Sequence, residues 1–219
     1  MKHIVFFFCI AALISACATT KPKKPDMIAD ADPIALGTVS IGFEKFLSSK
    51  VGPKDVSAVF DPRTDTVYLQ FTYETLTIRQ FWDNQNRRNF TAALEHYAQD
   101  FEDRKLTAKS SKTRTAYGSI IGKTEWGQFS FTINSRSYPK MELGYQFKGD
   151  NPYFTVVQRE AQDTLSGYED RNSLRITSYF TKAQAAELAA LFDQEYLLGR
   201  LEAEGIPLTK DENIRADVY

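Results

Sequence analysis

Gly118-Ser119-Ile120-Ile121-Gly122-Lys123-Thr124 comes closest in this chain to a phosphate-binding loop. Such a loop needs four residues between its glycines and must open a helix whose first amides cradle the phosphate. Here three residues separate the glycines, and Glu125-Trp126-Gly127 leads on into strand-like sequence. A glycine-kinked strand or hairpin is expected, with no nucleotide bound. Histidine chemistry is thin. His3 lies in the N-terminal apolar segment, and His96 has no G-x-S-x-G nucleophile elbow to serve. His96 is therefore expected at the surface. One histidine without thiolates leaves only carboxylates to bind zinc. Asp26, Asp30 and Asp32 lack the glycine turn and closing glutamate of a calcium loop. Glu125, Glu142 and Glu160 are the candidates for a two-carboxylate hydrolase, against the ordinary reading of solvated acids on a sheet face. Arg87-Arg88 is a candidate anion site, yet Asp83 and Glu95 nearby favour a solvated helix face. No catalytic, cofactor-binding or metal-ligating residue is assigned.

The residue with the clearest chemistry is Cys17. The N-terminus, MKHIVFFFCIAALISACATT, has a short positive start at Lys2 and an apolar stretch from Ile4 to Ile14. That stretch is too short to span a bilayer, which takes ~20 apolar residues, and has the length of a signal-peptide core. Ile14-Ser15-Ala16-Cys17 then resembles the lipobox of bacterial lipoproteins. The resemblance implies cleavage before Cys17, a diacylglycerol on its sulfur and an acyl chain such as palmitate on its new amine. Ala18 in place of aspartate resembles lipoproteins sorted to the outer membrane. Several acyl chains on one residue anchor stably where one chain does not. Loss of residues 1–16 removes Cys9 and Lys2, leaving 26 basic and 28 acidic residues and no free thiol. Thiol catalysis and cysteine-ligated metal are thereby excluded. Residues 17–36 read as a proline-containing, lipid-anchored tether in which Lys21, Lys23 and Lys24 lie near the headgroups.

These residues need elements to position them. The 219-residue chain is 42% hydrophobic and 25% charged, with a net charge of −1, as expected of a globular domain rather than a nucleic-acid binder. Period-two alternation predicts strands at Val67–Tyr73, Phe129–Ile133, Met141–Phe147 and Leu174–Phe180, with weaker ones at Val56–Phe60, Leu76–Trp82 and Tyr153–Val157. Turn chemistry at 61–65 and 148–152 implies antiparallel neighbours. An apolar stripe of Phe90, Leu94, Tyr97 and Phe101, capped by Asp83 or Asn84, predicts one helix. Thr181-Lys182-Ala183-Gln184 predicts a capping box for a second, carrying Leu188, Leu191, Phe192 and Leu198 and stopped at Gly205-Ile206-Pro207.

The expected fold is thus α+β: a mostly antiparallel sheet with two amphipathic helices packed on it, in one domain over 37–205 with a tail at 206–219. LTIRQFW and LRITSYF each precede a capped helix, which suggests two pseudo-repeated β-β-α halves, 37–105 and 113–205. The residues of this domain assign it to no family. Tyr68, Phe81, Phe154 and Tyr179 fall on the polar parity of their strands, implying either an exposed aromatic groove or a two-sided core. The expected function is a membrane-anchored envelope lipoprotein that binds a protein or glycan partner without catalysis, with no nucleic acid. The alternatives are a carrier of a hydrophobic small molecule and a secreted hydrolase.

Overall fold

The computed structural model describes residues 27–44, 50–108, 113–128, 133–167 and 170–209. Outside them fall the signal segment 1–16, Cys17, Lys21, Lys23, Lys24, Asp26, most of the expected strand at 129–133 and the tail beyond 209. Four strands come first: β1 (Ile34–Glu44), β2 (Val51–Asp61), β3 (Thr66–Tyr73) and β4 (Leu76–Asp83). Helix α1 (Asn84–Glu102) follows, then a single 3-10 turn at Thr113–Thr115. Six further strands are β5 (Ser119–Ile121), β6 (Lys123–Gln128), β7 (Ser135–Ser137), β8 (Lys140–Lys148), β9 (Asn151–Gln158) and β10 (Ile176–Phe180). Helices α2 (Lys182–Phe192) and α3 (Gln194–Ala203) complete the described fold.

All neighbouring strands are antiparallel, in the order β5-β8-β9-β10-β1-β2-β3-β4-β6-β7. The ends of that order are joined through the chain itself. β5 runs into β6 across Gly122, and β7 runs into β8 across Tyr138-Pro139. Ser119↔Glu142, Ile121↔Lys140, Thr124↔Ser137 and Trp126↔Ser135 share one register, and the Gly122 N–H donates to the Pro139 carbonyl between them. The four short strands are therefore two arms of one hairpin. The first arm also pairs with β4 and the second with β9, so the sheet curls round until its ends meet. Side chains agree: Gln80 of β4 donates to Gln158 of β9 at 2.8 Å, and the Thr124 hydroxyl reaches the same oxygen at 2.9 Å.

The inner face and the helices build the core. Trp82, Phe90, Phe154, Phe180 and Phe192, from β4, α1, β9, β10 and α2, are all buried and stack edge-to-face or tilted at 5.3–6.2 Å between ring centres. The expected stripe of α1 holds for Phe90, Leu94 and Tyr97, while Phe101 is exposed. Asp83, rather than Asn84, caps α1 by accepting from the Asn86 N–H at 2.7 Å. Both bonds of the Thr181–Gln184 capping box form.

Several expectations change. The sheet dominates, and the described residues hold three helices rather than two. The predicted second helix breaks at Asp193, whose extended backbone and carboxylate cap a new N-terminus at Tyr196. The break re-phases the apolar stripe, so Leu197 and Leu201 are buried while Leu191 and Leu198 are only partly covered. The last part of the expected tether, 17–36, is folded: β1 starts at Ile34, and Ile28 and Ala29 ahead of it are fully buried. Ile28 and Ala29 donate backbone N–H groups to Pro62 O, and Thr209 donates to Ile28 O. Residues 206–209 are accordingly fixed to the body rather than loose.

Candidate functional site

The outer face near the closing hairpin carries an ordered mixture of aromatic and charged side chains. Antiparallel pairing puts residues in rows across strands. One row is Gln70, Arg79, Glu125 and Arg136, across β3, β4, β6 and β7. The next is Tyr68, Phe81 and Lys123, with Tyr138 opposite Lys123 at the hairpin kink. One step on, Ile121 pairs with Lys140.

The charges are arranged around the rings. Lys123 Nζ lies 4.0 Å from the centre of the Phe81 ring, and the Arg79 guanidinium 5.5 Å from that of Tyr68. Tyr68 and Phe81 also contact each other at 5.5 Å. Glu125 accepts from Arg136 at 2.8–2.9 Å and pairs with Lys123 at 3.0 Å. Burial alone pushes the Glu125 carboxyl up, but Lys123 and Arg136 together hold it below the ordinary carboxylate range. Beside these paired groups the apolar side chains are open: Ile121 is 62% exposed, Tyr138 53% and Leu165 48%. Leu165 is brought alongside by a fixed loop. Thr164 donates its N–H to Arg136 O, and Asp163 accepts from the N–H groups of Arg136, Leu165 and Ser166. Burial pushes the Asp163 carboxyl up, yet these donors with the Ser135 and Ser166 hydroxyls hold it far below its usual value.

The other candidate residues stand elsewhere. The Gly118–Thr124 motif lies along the first arm of the hairpin and opens no helix, matching the kinked-strand reading. His96 is exposed on α1. Glu142 is buried against Arg159, with 2.7 Å between Oε2 and the guanidinium, and Glu160 is exposed. Glu125 and Glu142 sit on opposite arms, Glu125 facing Arg136 and Glu142 facing Ser119, about six residues or 20 Å apart along the hairpin. That exceeds the ~10 Å limit for glycosidase carboxylates, and an acid held ionised cannot donate a proton near neutral pH. Glu125 and Glu142 therefore form no acid–base pair. Among the described residues no group of three His, Cys, Asp or Glu is placed to hold a metal ion.

Arg87 corrects the solvated-face reading of Arg87-Arg88. Arg88 is exposed, but Arg87 is 2% exposed and forms an ion pair with Asp65 at 2.7 Å. It also donates to Asp65 O, Trp82 O and the Gln194 side chain. Asp65 sits at φ +47°, a conformation its short side chain tolerates, and so turns both its carbonyl and its carboxylate on Arg87. The pair ties α1 and α3 to the β2–β3 turn. It is a structural joint: both terminal nitrogens of Arg87 are bonded and only its buried Nε lacks a partner. The aromatic question resolves residue by residue: Phe154 belongs to the core and Tyr179 is buried on the outer side against Tyr153 and Glu44, whereas Tyr68 and Phe81 are half-buried on the outer face.

A family model described as "Uncharacterised Treponema protein" matches residues 33–199. The chain belongs to this family. The match takes in β1 through most of α3, correcting the reading that assigned the domain to no family. A relative in Treponema pallidum (strain Nichols), described as "Uncharacterized protein", is 29% identical over 174 residues. The alignment covers 79% of this chain and 61% of that relative, so this Treponema family member spans under two thirds of the relative's length. No solved structure matches.

Proposed function

We propose that this protein is an exported, lipid-anchored binding module of the bacterial envelope, defined by what it holds rather than by any reaction. Its partner, a protein or a glycan, is taken by the outer face at the closing hairpin. One observation carries this reading: Ile121, Tyr138 and Leu165, three of the most exposed large apolar residues, gather on one face beside half-buried Tyr68 and Phe81. Exposed apolar side chains set close together by strand pairing and by the loop bonded to Arg136 favour an interaction site. The competing readings find less support. Rings from three strands and two helices fill the inside where a carrier would need room for its cargo. Two of the three candidate acids of a hydrolase, Glu125 and Glu142, are separately paired with basic side chains.

Anchoring at Cys17 is supported by the lipobox-like sequence, and no helix among the described residues is long and apolar enough to cross a membrane. Metabolic labelling with a fatty acid, comparing wild type with Cys17→Ala, tests it: the label is expected to vanish in the variant, and retained label overturns the anchor. A photoreactive amino acid at position 138 tests the face. Adducts with an envelope component are expected there and not at position 96, on the exposed side of α1. Equal yields at both positions overturn the face.

A further inference from the structure

We infer that the partner is a protein presenting an acidic surface around an apolar patch, a conclusion that rests on the outer-face reading above. Three observations select this chemistry. First, the apolar centre includes two aliphatic side chains, Ile121 and Leu165, with Tyr138 as the open ring. Sugars are held by stacking on free aromatic faces, but here Lys123 lies over Phe81 and Arg79 over Tyr68. Aliphatic side chains beside tyrosine and arginine are instead the composition of protein-binding hot spots.

Second, the surroundings are cationic in a chain that is not. The chain carries 27 basic and 28 acidic residues. On this face Arg79, Lys123, Arg136 and Lys140 outnumber Glu125, Asp83 and the buried Asp163 carboxylate beside Leu165; Asp83 is committed to capping α1 and Asp163 to its own loop. Glu125 is shared by Lys123 and Arg136, leaving one net positive charge in that trio. Among the described residues, Arg79 meets only the neutral Gln70 side chain and the Tyr68 ring. Lys140 forms no ion pair among the described residues. An acidic partner supplies the missing counter-charges and is steered toward the face.

Third, the mode of docking is constrained. Both arms of the hairpin are already paired with neighbouring strands, and the flanks left over are bonded to Asn86 and to the 159–164 loop. The partner must meet side chains rather than extend the sheet.

The test uses the purified full-length protein and a displayed library of random 16-residue peptides. Binders enriched in Asp and Glu together with Leu, Ile or Phe are expected. Ile121→Ser/Tyr138→Ser and Arg79→Glu/Lys140→Glu should each weaken a selected binder at least about tenfold, with unchanged melting temperatures, since all four side chains are at least partly exposed. Rising salt should weaken binding to wild type and leave the residual binding of Arg79→Glu/Lys140→Glu nearly unchanged. Binders that are basic, or indifferent to both substitution pairs, overturn the inference. So does binding of heparin or peptidoglycan fragments, sensitive to the same substitutions, when no peptide is selected. Crosslinking at position 138 separates the two layers: adducts with a basic protein or a glycan refute the acidic partner while keeping the face, whereas yields no higher than at position 96 refute both.

Discussion

At the scale of single residues, burial decides which charges matter. Arg87 and Asp65 are both withdrawn from water, and each is tolerable only because the other is present. Arg87→Ala should cost about 3–5 kcal/mol in urea denaturation, because it strands Asp65 without its counter-charge. The double variant Arg87→Leu/Asp65→Asn should recover a large part of that loss; equal destabilisation in single and double variants would show that packing, not charge, is at stake. Glu125 behaves differently, being half-shielded among cations. Its folded carboxyl titrates below its unfolded value, so its contribution is complete above the unfolded value and is lost as the pH falls through the folded one. Glu125→Gln should flatten the acid limb of the stability curve below about pH 4.5 and change stability at pH 7 by less than about 1 kcal/mol. Sequence alone hid Arg87 because its neighbours Asp83 and Glu95 supply ready partners, while the real one lies 22 residues back in a turn. His96 was legible because nothing around it demanded a buried imidazole.

At the scale of elements, caps and close approaches set the boundaries. Asp193→Ala should destabilise the protein by about 1 kcal/mol through loss of the α3 cap, without changing the expected contents of α2. Calorimetry on the single variant would measure it. Two glycines of the hairpin make a sharper contrast. A Cβ on Gly122 would come within 2.5 Å of the end of the Met141 side chain, which can swing aside. A Cβ on Gly144 would come within 2.1 Å of the Thr113 carbonyl and 2.4 Å of Arg114 backbone. Gly144→Ala should therefore lower stability by about 2–3 kcal/mol, and Gly122→Ala by less than about 1 kcal/mol, compared by melting temperature. Strands with clean alternation, such as β3 and β8, were readable as written. β1 was not, because Gly37 and Gly42 dilute its apolar pattern and its start follows Pro33. β6 was legible only as part of a glycine-kinked strand or hairpin, because its inward residues, Thr124 and Trp126, mix a hydroxyl with a ring, and that hydroxyl meets Gln158 across the interior. The helix break at Asp193 had a signal in the sequence: an aspartate three residues before Tyr196 is as good an N-cap as the threonine that was recognised.

At the scale of the molecule, closure through one hairpin makes distant parts of the chain depend on each other. Trp82 stands beside the helices and Trp126 within the first arm, so each reports a different region. Single-tryptophan variants, Trp82→Phe and Trp126→Phe, should unfold in urea with fluorescence transitions that coincide with loss of far-ultraviolet circular dichroism. Separate midpoints would mean that the hairpin opens before the rest. The two suggested halves, 37–105 and 113–205, share one sheet, since residues 119–148 bond to both β4 and β9. Short-range patterns reveal strands and helices, but ring closure rests on pairings 42–52 residues apart between β4 and β6 and 135–137 apart between β1 and β10, and leaves no local mark. The outer face was partly legible for the same reason: the parity of Tyr68 and Phe81 was visible, whereas Tyr138 and Ile121 meet only once the hairpin forms.

A curled sheet whose two ends are sewn together has no loose hem. Stray backbone donors and acceptors are what let one protein lengthen the sheet of another, and crowded molecules stack by that route into fibres. Copies held side by side at high local density would be especially prone to it. Here that route is shut along the paired seam, so neighbours can be packed closely without fusing, and only a surface of matching shape and charge gains a hold.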